Sequence, residues 1–132
     1  MTQAASFPLR WLEWAARLGS AACLITLPLL SLLPATVVER TGAGKNFEHF
    51  LAYGGTGLLL GLAIAVPRHR VLAAIGLILV AATLETAQLL TLTRSAELAQ
   101  FLSGSTGACV GVIAGSVSRT VLTRRIGAPQ RL

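Results

Sequence analysis

Four apolar runs, each about long enough to cross a bilayer, leave this chain few ways to fold. They are Leu18–Val38, Phe47–Val66, Val71–Leu92 and Leu98–Val117, separated by short polar segments. A membrane-crossing helix needs roughly 20 mostly apolar residues. Within lipid, each backbone N–H and C=O must be satisfied inside the protein, which favours helices. The pattern predicts an all-α polytopic membrane protein with four transmembrane helices in an antiparallel bundle. Composition agrees: 54% of residues are apolar and 12% charged, against about 25% charged in soluble domains.

Residues 1–17 read as an amphipathic, interfacial head. Trp11 and Trp14 lie three apart among Arg10, Glu13 and Arg17, and tryptophan favours the membrane interface. The first run contains Pro28 and Pro34, which kink or end it. A signal peptide is the rival reading of this run, but no small-x-small cleavage site is evident and more apolar runs follow. Pro67-Arg-His-Arg70 reads as a basic turn between the second and third runs. Residues 119–132 form a basic tail, and Glu97 reads as a solvated charge at a helix start.

The net charge of +6 does not point to nucleic acid. The basic residues flank apolar runs and form no face interleaved with aromatics. They instead set orientation. Head, middle turn and tail hold eight: Arg10, Arg17, Arg68, Arg70, Arg119, Arg124, Arg125 and Arg131. The other two loops hold Arg40, Lys45 and Arg94. Both termini are therefore expected on the cytoplasmic side. Cys23 and Cys109 fall inside apolar runs and read as packing residues. No metal or cofactor is expected, since the chain has no Asp and no zinc-like Cys/His spacing.

Small residues mark helix contacts. Gly57 and Gly61 are four apart, and Ser103, Gly107, Gly111 and Gly115 repeat every four residues. Such stripes let helix backbones approach closely. The fourth-helix stripe packs either on another helix of the chain or on a partner's span.

Polar residues inside the runs require another explanation. Glu48, His49 and Tyr53 open the second run, and Glu85 and Gln88 sit near the end of the third. With Arg94 in the next loop and Gln100 in the first turn of the fourth run, all share the outer-leaflet depth. Glu85 lies about 10 Å below that surface at 1.5 Å per residue. Facing lipid, it would cost about 3 kcal/mol. It is expected to face the bundle, to be protonated, or to pair with Arg94, His49 or Lys45. The bland alternative is interhelical glue. No serine elbow, phosphate-cradling loop or paired-Asp motif is present, so binding is favoured over catalysis.

The stretches Asn46–Gly61 (NFEHFLAYGGTGLLLG), Glu85–Arg94 (ETAQLLTLTR) and Ser95–Gly111 (SAELAQFLSGSTGACVG) resemble the VanZ-like family of small bacterial membrane proteins. Its members show D-K-x-x-H-x-x-x-Y, then E-x-x-Q before a P-G-R loop, then D-x-x-x-N-x-x-G. By that match His49, Tyr53, Glu85, Gln88 and Arg94 fill family positions, as do Gly107 and Gly111. Lys45 stands where the family has Asp, Asn46 where it has Lys, Gln100 where it has Asp, and Gly104 where it has Asn. Leu92-Thr93 replaces Pro-Gly. The resemblance implies an envelope function linked to glycopeptide resistance. The polar residues His49, Tyr53, Glu85, Gln88, Arg94 and Gln100 are expected to hold a lipid-linked or anionic ligand, such as a cell-wall precursor, with membrane lipids around it. The alternative is a non-catalytic scaffold or assembly subunit that meets another membrane protein through its Gly-rich fourth helix.

Overall fold

The computed structural model describes residues 7–33, 42, 44–90 and 97–127. They form four helices: α1 (Phe7–Leu32), α2 (Lys45–Ala63), α3 (Pro67–Gln88) and α4 (Leu98–Gly127). The chain is an all-α four-helix bundle. Three of the four, not all four, are long and apolar enough by length and composition to cross a membrane: Leu9–Leu32, Pro67–Gln88 and Leu98–Ile126. Across them large apolar side chains such as Leu18, Ile25, Leu72, Leu79 and Ile113 are exposed. A surface of that kind is at home in a bilayer. α2 falls short because its first turn carries Lys45 and Glu48, followed by His49 and a glycine-rich middle. It is also the inner helix.

Local chemistry sets the ends differently from hydropathy. The border at residue 17 falls inside α1, which runs on past Pro28 to Leu32. α2 starts at Lys45 behind Gly44, whose φ of 91° suits glycine. The expected basic turn at 67–70 is instead the first turn of α3, with Pro67 at the position where its missing N–H costs nothing. The connection is the extended stretch Ile64–Val66. Arg70 closes it, donating from Nε to the Ile64 carbonyl (2.8 Å) and from Nη2 to the Ala65 carbonyl (3.2 Å). α4 continues through residue 119 to Gly127.

The core of the bundle is a seam between α2 and α4, the most closely packed pair. Ser103 donates to the Asn46 carbonyl (2.6 Å) at one end, and Arg119 donates to the Leu62 carbonyl (2.7 Å) at the other. Both pairs are 57 residues apart, so the two helices run parallel in one register. Between them, Gly107, Gly111 and Gly115 face the carbonyls of Phe50, Gly54 and Leu58. A Cβ at any of these three would overlap a carbonyl oxygen. On α2, a Cβ at Gly57 would meet the Ala108 carbonyl oxygen at 2.6 Å, and one at Gly61 the Val112 oxygen at 2.5 Å. The glycine hydrogens thus point at carbonyls, the arrangement of Cα–H···O contacts. The glycine stripe of α4 is therefore filled from within the chain. A partner span would have to dock elsewhere.

α1 and α3 cover this pair. Leu27, Tyr53, Leu77, Ala81 and Ala108 form a buried cluster with Leu60, Val80 and Phe101 against it. Hydroxyls in the spans turn back on their own helices, as Thr26 does to Ala22 O, Thr56 to Ala52 O and Thr106 to Leu102 O. The start of α1, the α2–α3 connection and the end of α4 share one end of the bundle, here the basic end. The starts of α2 and α4 meet the end of α3 at the other.

Candidate functional site

Lys45, His49 and Tyr53 are spaced four apart on one face of α2. His49 Nδ1 lies 3.1 Å from the Lys45 carbonyl. A carbonyl only accepts, so Nδ1 carries a hydrogen and Nε2 is left to face α3. There it lies 3.6 Å from Glu85 Oε1. The contact becomes an ion pair when Nε2 carries a proton. Glu85 is 9% exposed, and its Oε2 accepts the Glu97 backbone N–H at 3.0 Å. That contact puts the carboxyl at the positive end of α4. Glu85 thus faces the bundle and meets His49, one of its three expected partners.

Glu97 sits at the start of α4, as expected, but it also has a partner. Its side chain takes Lys45 Nζ at 3.2 Å, with both groups 40% exposed. The bridge ties the start of α2 to the start of α4 and contributes at most about 1 kcal/mol. Between α3 and α4 a crevice of about 270 Å³ opens beside these carboxylates. Its apolar walls include Ala82, Leu89, Leu98 and Phe101, with Glu85 and Glu97 among the lining groups.

The remaining predicted site residues divide. Tyr53 is buried at 2% exposure. One side of its ring stacks beside His49, with centroids 6.3 Å apart, and it also packs on Gly104, where a Cβ would meet Cδ2 at 2.9 Å. Gln100 is buried in the first turn of α4. Gln88 is buried too, but it donates to the Ser31 carbonyl (3.1 Å) in the last turn of α1. The Glu85–Gln88 pair therefore reaches two different neighbours, and Gln88 ties α3 to α1. Arg94 lies outside the described residues.

The basic end holds a second polar cluster that the sequence reading missed. That reading placed Arg119 in a basic tail. Arg119 instead reaches in to the Leu62 carbonyl and pairs with Glu13 of α1, with side chains 12% and 23% exposed. A signal was present: residue 119 continues the four-residue series 103, 107, 111, 115. Among the described residues, no three His, Cys, Asp or Glu side chains converge as a metal-ligand set.

No family model matches this chain, and neither the curated proteins nor the solved structures contain a match to it.

Proposed function

We propose that the chain binds the polar head of an anionic, lipid-linked ligand of the cell envelope at the Lys45–His49–Glu85–Glu97 cluster. In this reading it is a VanZ-like protein of the bacterial inner membrane, with both termini cytoplasmic and the cluster near the outer leaflet. The ligand class is a cell-wall precursor. The observation that carries the reading is the His49–Glu85 pair, with Glu85 buried and fixed at the start of α4 beside an apolar crevice. Intramembrane ionisable residues with named partners mark function by default.

The chemistry follows from the donors and acceptors present. The crevice takes an apolar chain. A phosphate arriving at Lys45 replaces the Glu97 carboxylate there through charge-assisted hydrogen bonds, with Arg94 as a second cation. Hydroxyl or amide donors of the head meet Glu85. In this reading His49, beside Glu85, is the group that would carry a proton for the ligand, without requiring a reaction.

Native mass spectrometry in gentle detergent tests this, comparing wild type with Glu85→Gln, Arg94→Ala and Lys45→Ala. Glu85→Gln keeps an acceptor for the Glu97 N–H but removes the carboxylate that faces His49. Wild type should retain a lipid-linked species that all three variants lose. Equal retention by all four proteins would refute the proposal. Lys45→Ala should change stability by less than about 1 kcal/mol, because its ion pair is exposed. A loss of ligand in that variant therefore reports binding, not folding.

A further inference from the structure

The basic end carries a groove that plays no part in the outer cluster. It lies between α1 and the end of α2, with a volume of about 560 Å³. That falls within the roughly 300–1,000 Å³ of small-molecule sites. Its wall includes Leu24, Leu60, Ala63 and Ile64, and Arg17 and His69 are its ionisable lining residues. Ser20 also lines it, but its hydroxyl donates to the Ala16 carbonyl at 2.6 Å, so that wall presents little polarity.

The charges at this end are arranged for an anion. Among the described residues, the one carboxylate here is Glu13, which is paired with Arg119. Three carbonyls at this end are covered: Leu62 by Arg119, Ile64 and Ala65 by Arg70. Arg17 and His69 are exposed, and exposed Arg68 precedes His69 in the chain. The start of α3 adds the positive end of a helix dipole. The depth is also set. Trp11 and Trp14 are exposed on α1, Arg17 sits over the Trp14 ring at 5.6 Å from its centroid, and tryptophans of this kind lie at headgroup level. From Arg17 the groove runs inward along α1 towards Leu24. A cation at headgroup depth above an apolar slot matches an anionic phospholipid, with phosphate outward and acyl chain inward.

We propose that this groove is a site for one anionic phospholipid, its phosphate held between Arg17 and His69 and one acyl chain lying along Leu24, Leu60 and Ile64.

The test uses the full chain in nanodiscs of equal phosphatidylglycerol and phosphatidylcholine, released into native mass spectrometry. Wild type should retain one phosphatidylglycerol in preference to phosphatidylcholine. Arg17→Ala should lower that preference about fivefold, the usual worth of one cation near an anionic headgroup, and Arg17→Ala with His69→Ala should abolish it. Ala21→Trp fills the slot from an exposed lining position and should remove the bound lipid while Arg17 remains. Arg124→Ala with Arg125→Ala, at exposed positions on α4 outside the groove, should leave the preference unchanged. Equal retention of both lipids by wild type would overturn the site. So would a loss in the α4 variant as large as in Arg17→Ala, since the preference would then follow net charge alone.

Discussion

Gly111→Ala should destabilise the folded protein by about 3 kcal/mol or more, whereas Gly55→Ala should leave it unchanged or slightly more stable. The two glycines sit in facing helices of similar exposure to sequence-based reasoning but opposite surroundings. A Cβ at Gly111 overlaps the Gly54 carbonyl oxygen and comes within 2.8 Å of its carbon and 2.9 Å of the Leu58 nitrogen. These are backbone atoms that cannot turn aside, so α2 and α4 must separate along the whole seam. Inserting one methylene into a packed core costs about 1–3 kcal/mol, and more when backbone must move. Added loss comes from the contacts at Gly107 and Gly115, which share the register. At Gly55 a Cβ meets nothing within 4 Å, and Ala is favoured over Gly in a helix by up to about 1 kcal/mol. Unfolding in a detergent–SDS titration, followed by tryptophan fluorescence, would measure both. A Gly111→Ala transition within about 1 kcal/mol of wild type would mean the seam is looser than its geometry requires.

The seam also marks the limit of what the sequence could tell. Small residues every four positions announce that some helix comes close, and the α4 stripe was legible for that reason. They do not say which helix, because a partner's span and α2 make the same demand on α4. The choice of α2 depends on carbonyl register, which side-chain pattern does not encode. Helix existence was readable from hydropathy, yet α2 and α3 both begin earlier than their apolar runs. Gly44 and Pro67, not apolar content, set those starts. At the polar end, Glu85 and His49 were legible because a charge within an apolar run has to be explained. Glu97 was not, since an acid at the start of a helix normally faces water. Its role comes from a backbone N–H and from Lys45, 52 residues away.

Arg119→Ala should be the second severe substitution, at about 2–4 kcal/mol, although it lies beyond the fourth apolar run. Its guanidinium serves two helices at once, Nη1 donating to the Leu62 carbonyl and Nη2 to the Glu13 carboxylate. Leu62 is in the last turn of α2, where carbonyls run out of helical donors. Removing the arginine leaves that carbonyl and a mostly buried carboxylate without their cation, the situation in which breaking an ion pair is most damaging. Glu13 retains 23% exposure, which keeps the loss below that of a fully buried pair. The alternatives should rank in a definite order. Arg119→Lys keeps the charge but lacks the fork that reaches two acceptors, so it should fall between Arg119→Ala and wild type. Glu13→Gln should be mildest, at about 1 kcal/mol, because its amide oxygen still accepts from Arg119. Glu13→Ala with Arg119→Ala should lose less than the sum of the two single changes, since the double variant strands no carboxylate. Additive losses in that cycle would show that Arg119 acts on Leu62 alone, and the link from α1 to the α2–α4 seam would then rest on packing, not charge.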